Sequence, residues 1–130
     1  MDTKPQISLA VPGRSEYAIV LRQALGGVAL LEDLSVDGLD DLRMAADEAC
    51  DCLLHQRWAA ERLLLEVWSG EDALTIALTA ELGDREGPDC EDRTTISKAV
   101  LETLMPRVQI QTAPCGCIGR IEMSMPRERA

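Results

Sequence analysis

Residues 40–52 read DDLRMAADEACDC, and this stretch lies within the clearest helical pattern of the sequence. Apolar residues recur there at spacings of three and four, which places them on one face of a helix. The members of this stripe are Leu39, Leu42, Ala46, Ala49 and Leu53. We expect an amphipathic helix that has Asp37 as its N-cap and runs to about His55.

Upstream, the pattern predicts a strand followed by an earlier helix. The strand runs from Ile7 to Val11 and stops at the turn-forming pair at positions 12–13, and Ser15 is placed to cap the helix. The predicted buried stripe of this helix is Tyr17, Val20, Leu21, Ala24, Val28 and Leu31. Gly26 and Gly27 each cost about 1 kcal/mol in a helix. We therefore expect a close packing contact or a local bend at these glycines.

Downstream, residues 63–68 and 73–78 are rich in aliphatic side chains and predict a β-hairpin around residues 69–72. Residues 83–93 are polar and turn-forming, which predicts a loop. Thr94 or Thr95 is placed to cap a third helix, which ends before a proline at position 106. Its expected apolar stripe is Ile96, Val100, Leu101 and Leu104.

Two final strands are predicted by alternation, with a turn over residues 114–117 between them. Their alternating members are Val108, Ile110 and Thr112, then Ile121, Met123 and Met125. The order is β-α-α-β-β-α-β-β. Three helices are too few to cover both faces of a sheet, so we predict an α/β (α+β) two-layer sandwich. Its sheet is antiparallel or mixed, with the helices on one face.

Composition bounds the class of protein. The chain has 130 residues, a length that fits one domain, and 46% hydrophobic with 28% charged residues, as in a compact protein. Its formal net charge of -10 would repel nucleic acids and anionic membranes. No signal segment or apolar run of membrane-spanning length is present in the sequence, so we expect a cytoplasmic protein. Five cysteines, an odd number, suggest reduced thiols rather than a disulfide framework.

The stretch from Ile7 to His55 resembles the N-terminal half of the bacterial anti-sigma regulatory serine kinases of the GHKL superfamily. The residues that carry this resemblance are the segment 15–17 and the helix segment 40–50, and residues 101–105 look like the helix end before the last strands. The resemblance spans nearly the whole chain. It implies that residues 1–130 form a single domain with the Bergerat (histidine-kinase-like ATPase) fold.

In that family the second helix carries a Glu and, four residues later, an Asn. The resemblance implies that the Glu is the general base for a partner's serine hydroxyl and that the Asn binds magnesium. The Glu position is Glu48, and the Asn position is Cys52. Magnesium takes hard oxygen ligands and a thiol is soft, so Cys52 is not expected to bind it.

Two further family features are missing from the sequence. Ala80 stands where the family has the Asp that recognises adenine, and residues 91–98 lack the glycines of the family's phosphate-binding segment. Because three parts of one pocket depart together, we expect no nucleotide cofactor and no metal. Glu48 is then a vestigial catalytic position. ATP and magnesium are expected only if the chain is an active kinase.

Three functions follow from these observations. The first is an anti-sigma-like regulator that binds a sigma factor or a STAS-domain anti-anti-sigma protein without phosphorylating it, and the resemblance implies a homodimer. The second is an active serine/threonine kinase that uses Mg-ATP on a STAS-domain partner. The third is a thiol or metal sensor on the same fold.

Several side chains allow both a functional and a structural interpretation. Glu48, Cys52 and His55 share one helical stripe and could activate a thiol, or they could be remnants of an ancestral site. The Cys-x-Cys pairs at 50/52 and 115/117 could bind metal, or could be small buried hydrophobes. Trp58 and Trp68 could anchor an interface or fill the core. The acidic loop 84–92 is either a partner-facing or a solvated surface.

Overall fold

The structure is a computed structural model that describes residues 4–87 and 91–126. Within those ranges the strands and helices follow the predicted order. They are β1 (Ile7–Pro12), a short 3-10 turn (Ser15–Tyr17), α1 (Ala18–Leu31), α2 (Val36–Leu54), β2 (Trp58–Ser69), β3 (Ala73–Glu86), α3 (Glu91–Leu104), β4 (Arg107–Thr112) and β5 (Ile118–Pro126).

The five strands form one sheet in the order β1-β2-β3-β5-β4. Every neighbouring pair is antiparallel, so of the two predicted alternatives the sheet is antiparallel and not mixed. Two helices lie between β1 and β2 in the chain, and the two strands pair antiparallel. The single helix α3 gives β4 the direction of β3, and β5 runs between them in the opposite direction.

A helical layer covers one face of this sheet, which confirms the predicted two-layer sandwich. The helix α2 contacts β2, β3 and β5, and α1 and α3 pack on α2. The largest fully buried side chains come from both layers: Leu21, Leu25, Leu42, Leu53, Leu63, Leu65, Leu74, Ile76, Leu78, Leu101, Ile121 and Met123. No helix in the described ranges has both the length and the apolar character needed to span a membrane.

The start of each of the first two helices differs from the prediction. Ser15 lies inside the 3-10 turn, after the extended Arg14, and no side chain caps this turn or α1. For α2 the cap is Ser35, whose extended backbone lets its hydroxyl accept a hydrogen bond from the Gly38 N–H at 3.0 Å. Asp37, the predicted cap, therefore lies in the first helical turn.

The buried face of α1 is rotated relative to the predicted stripe. Leu21, Leu25 and Val28 are buried, whereas two residues predicted to be buried, Val20 and Leu31, are exposed. The exposed apolar side chains fall within a sector of about 120° on the opposite side of the helix. This surface, called here the α1 apolar face, consists of Ile19, Val20, Leu30 and Leu31.

The two glycines of α1 have different surroundings. A Cβ on Gly26 would lie 3.0 Å from the Arg43 Nη2, so Gly26 makes room for the Arg43 guanidinium and the predicted close contact is confirmed there. A Cβ on Gly27 would have no atom within 4 Å, so no packing contact explains the second glycine.

The prediction of a loop over residues 83–93 is wrong for residues 83–86, which belong to β3, and for residues 91–93, which belong to α3. β3 continues to Glu86 because the extended β2 offers it a partner as far as Trp58, with register shifts between Trp58 and Arg62. The helix α3 already begins at Glu91, so Thr94 and Thr95 lie within its first turns and not at its cap. The middle of the acidic segment, residues 88–90, lies outside the described residues.

The face of α3 is also shifted from the prediction. Ser97 and Leu101 are buried and Val100 and Leu104 are half-buried, but Ile96 is 60% exposed. A helix whose apolar residues are this sparse gives little periodicity from which to infer its orientation.

Neither tryptophan belongs to the core. Trp68 is half-buried, and the Arg120 guanidinium lies over its ring at 5.7 Å from the centroid. Trp58 is half-buried at the start of β2, with the Arg57 guanidinium 5.6 Å from its ring centroid. The core is therefore aliphatic, and of the two interpretations of the tryptophans the structure does not support core filling.

Candidate functional site

The predicted site lies on α2, whose amphipathic pattern fixes the orientation of Glu48 and Cys52. Glu48 is half-buried, one helical turn before Cys52, which is 1% exposed. Burial raises the pKa of the Cys52 thiol to about 11, and the nearby Glu48 carboxylate adds to the shift. Cys52 is therefore a protonated, apolar side chain at neutral pH.

The position of the family's adenine-binding Asp lies on β3. Ala80 is buried at 7% exposure, and both Ala80 and Cys52 belong to the hydrophobic core cluster. Neither side chain supplies the charged or amide oxygen that the family has at that position. The side chains of Cys52 and Ala80 therefore contribute to core packing and provide no oxygen ligand for a nucleotide or its metal ion.

Residues 91–98, which replace the family's glycine-rich segment, form the first turns of α3. Ser97 within this segment is fully buried, and its hydroxyl oxygen makes no hydrogen bond within the described part of the chain. The helix α3 packs directly on α2. Ser97 is thus held by packing and not by a hydrogen bond within the described chain.

His55 does not complete a catalytic group with Glu48 and Cys52. Its Nδ1 donates a hydrogen bond to the Asp51 carbonyl oxygen at 2.8 Å, which holds the ring at the end of α2. Within the described residues the structure shows no hydrogen bond from His55 to Cys52 or Glu48. The geometry therefore favours the structural interpretation of this stripe.

The two Cys-x-Cys pairs differ in exposure. Cys50, Cys52 and Cys117 are buried and Cys115 is exposed, and all four are free thiols. Burial is the main cause that raises the pKa of Cys50, to about 12, with Asp47 and Asp51 adding to it. Among the side chains that the structure describes, no group of three or more His, Cys, Asp or Glu residues is arranged to hold a metal ion.

Two polar side chains near α2 were not singled out by the sequence analysis. Gln56 is buried and hydrogen-bonds both backbone groups of Ile118. Arg43 is half-buried beside α1, and its Nε is buried with no hydrogen-bond partner in the described chain. The sequence contained one indication of the buried Arg43 guanidinium, because Gly26 predicted a close packing contact on α1.

Comparison with known proteins adds to this geometry. No family model matches the chain. It is similar to the anti-sigma-F factor RsbW of Mycobacterium tuberculosis, with 32% identity over 74 residues that cover 57% of this chain and 44% of that protein. It is also similar to the serine-protein kinase RsbW of Bacillus licheniformis, with 27% identity over 124 residues that cover 81% and 77% of the two chains. The match spans less than half the length of the Mycobacterium protein.

Proposed function

We propose that this chain, a relative of the anti-sigma factors and serine-protein kinases of the GHKL superfamily, regulates transcription by binding another protein. The partner class is a sigma factor or a STAS-domain anti-anti-sigma protein. The observation that carries the proposal is the α1 apolar face. Ile19 and Val20 are 51% and 42% exposed, and Leu30 and Leu31 are each 79% exposed.

An apolar surface of this kind is costly to leave in water. Exposed apolar residues grouped on one side of a globular protein commonly mark interaction sites. The four side chains share one side of a single helix, and Val36, 75% exposed, follows shortly after α1 at the start of α2. None of these five side chains carries a charge, although the chain as a whole is strongly acidic. They offer a partner an apolar contact without charge repulsion.

The proposal includes the loss of ATP binding. The burial of Cys52 and Ala80 in the apolar core supports it, because a nucleotide and its magnesium need oxygen ligands and hydrogen-bonding groups at those positions. Any polar group introduced there would have to displace core packing. Glu48 then has no substrate hydroxyl to deprotonate and serves as a surface carboxylate of α2.

An active serine kinase is the second candidate, and the half-buried carboxylate of Glu48 at the family's general-base position favours it. Titration with Mg-ATP by calorimetry separates the two. If the chain is a regulator that has lost ATP binding, we expect no saturable binding at millimolar nucleotide concentration. Micromolar binding, together with phosphate transfer to a STAS-domain protein, would establish the kinase.

Partner binding is tested by capture of the host's purified sigma factors and STAS-domain proteins on the immobilised chain. Leu30→Lys should weaken capture at least tenfold, because it places a charge on one of the two most exposed positions of the α1 apolar face. The matched control is Ile96→Lys, which changes an apolar residue of similar exposure on α3. Equal capture by wild type, Leu30→Lys and the control would show that the α1 apolar face is not the binding surface.

The family resemblance supports three further parts of the proposal: that residues 1–130 act as one domain, that the chain works as a homodimer, and that it acts in the cytoplasm, where sigma factors function. Light scattering at micromolar concentration tests the oligomeric state. A mass equal to one chain of 14.2 kDa would contradict the homodimer.

A further inference from the structure

Arg43 carries a buried side-chain nitrogen, its Nε, that has no hydrogen-bond partner among the described side chains, which exclude those of residues 91–94. The residue is half-buried between α2 and α1. A buried donor without a partner destabilises a fold, and the cost is larger when the group is charged. An arginine retained in this state calls for an explanation.

Other arginines of the same chain contrast with it. Arg14 pairs with Glu16 at 2.8 Å, Arg62 pairs with Glu81 at 2.9 Å, and Arg120 lies between two glutamates. With a net charge of -10, carboxylates are plentiful. Among the described side chains, Arg43 thus has no carboxylate partner, although the protein contains many carboxylates.

The guanidinium borders an open cleft between α1 and α2. The cleft has a volume of about 230 Å³ and is lined by Ile19, Arg22, Gln23 and Arg43. Arg22 reaches Asp47 only at 3.6 Å, and both of these side chains are close to half exposed. Two guanidinium groups and one amide therefore line a single cleft, and its four lining residues include no carboxylate.

Local sequence builds this arrangement. Arg22 and Gln23 are consecutive residues of α1 that both line the cleft. Gly26, on the following turn, has no side chain, and the Arg43 guanidinium lies in the space beside it. A Cβ at position 26 would lie 3.0 Å from the Arg43 Nη2, so the guanidinium would have to shift slightly. The close approach of Arg43 thus favours a glycine at this position.

We propose that this cleft binds a small oxyanion, a carboxylate or phosphate group, through Arg43 with help from Arg22 and Gln23. Arginine presents donors in a planar fork that matches two oxygens of either group. No hydrogen bond to the Arg43 Nε has to break among the described side chains when the guanidinium turns toward an anion in the cleft. Binding then satisfies the buried donor that the free protein leaves unpaired.

The size of the cleft limits the ligand. Pockets for drug-sized molecules have volumes of about 300–1,000 Å³, so a cleft of about 230 Å³ takes one ionic group and not a whole nucleotide. The anion could be a free ion or the acidic side chain of a protein that also contacts Ile19. The proposal does not depend on the identity of any sigma or STAS partner.

The test follows the side-chain Nε–H signals of Arg43 and Arg22 by ¹H–¹⁵N NMR while sodium phosphate, sodium acetate or an acetylated, amidated Leu-Glu-Leu peptide replaces sodium chloride at constant ionic strength. We expect a saturable shift of the Arg43 signal with millimolar affinity. A response to phosphate alone identifies a phosphate site, and a response to acetate and peptide identifies a carboxylate site. A stronger response to the peptide than to acetate assigns the ligand to a protein side chain.

The variants separate binding from structure. Arg43→Met should abolish the response of Arg22, and Arg43→Lys, which keeps the charge but loses the fork, should weaken binding about tenfold. The control Arg62→Met removes an arginine of the sheet and should leave the titration unchanged. No saturable shift with any of the three probes at 20 mM (roughly twentyfold above an affinity of about 1 mM), or equal binding by Arg43→Met, would overturn the proposal.

Discussion

The side-chain amide of Gln56 pairs with both backbone groups of Ile118. Its Oε1 accepts a hydrogen bond from the Ile118 N–H at 2.6 Å, and its Nε2 donates to the Ile118 carbonyl oxygen at 2.8 Å. Gln56 follows the end of α2, and Ile118 is the first residue of β5. One side chain thus joins the helical layer to the sheet across 62 residues of sequence.

Replacing Gln56 should therefore destabilise the fold strongly. Gln56→Leu leaves a buried N–H and a buried carbonyl of Ile118 unpaired, which we expect to lower the free energy of unfolding by about 2–4 kcal/mol. Urea unfolding followed by circular dichroism measures the change. The exposed Gln109→Leu on β4 is the control, and a loss no larger than that of the control would show that the pairing contributes little.

The capping difference between Ser35 and Ser15 gives a second prediction. Ser35→Ala removes the hydroxyl that accepts from the Gly38 N–H, so it should cost about 1 kcal/mol of stability. Ser15→Ala should have nearly no effect, because Ser15 caps no helix. Thermal unfolding of both variants checks this, and a larger loss for Ser15→Ala would contradict the assigned helix start.

How far the sequence predicts this fold depends on the amphipathicity of each segment. The buried face of α2 was predicted because polar residues fill its other face, and Leu42 and Leu53 are fully buried as expected. The face of α1 was mispredicted because apolar residues surround this helix, so periodicity alone could not choose between Val20 and Leu25. The role of Gln56 depends on Ile118, which only the folded chain brings near. Among the candidate site residues, the contact of Glu48 with Cys52 followed from helical spacing.

The buried thiols of α2 give a third prediction. At pH 8, iodoacetamide should modify the exposed Cys115 and leave Cys50 and Cys52 unmodified, because burial raises the pKa of both thiols and blocks the reagent. Peptide mass spectrometry reads each cysteine separately. Rapid modification of Cys52 in the folded protein would instead support the thiol-sensor function.

The same thiols predict how stability changes with pH. The pKa of Cys50 rises from 9.0 to about 12 on folding, so the unfolded chain releases this proton first. The stabilising contribution is complete below pH 9 and is lost as the pH rises toward 12. The free energy of unfolding of Cys50→Ala should therefore fall less steeply above pH 9 than that of the wild type. The free energy of unfolding is measured by urea unfolding at several pH values. Equal slopes of this free energy against pH above pH 9 for wild type and Cys50→Ala would contradict the raised pKa of Cys50.

A fifth prediction concerns the ancestral magnesium position. Cys52→Asn restores the family residue but should not restore ATP binding, because Ala80 and residues 91–98 still lack the family's adenine and phosphate contacts. The amide would enter the apolar core and lower stability by about 1–3 kcal/mol. Calorimetric titration with Mg-ATP checks the first expectation and urea unfolding the second. Tight nucleotide binding by this single variant would show that the proposed loss is local.

The placement of the two tryptophans has a spectroscopic consequence. Trp58 and Trp68 stand at opposite ends of β2, about 33 Å apart along an extended strand, and each lies beside an arginine outside the aliphatic core. With no tryptophan inside that core, intrinsic tryptophan emission reports the surroundings of the two ends of one hairpin. A pair of single-tryptophan variants would turn β2 into two separate optical reporters, one for the tight turn at residues 69–72 and one for the far end of the ladder.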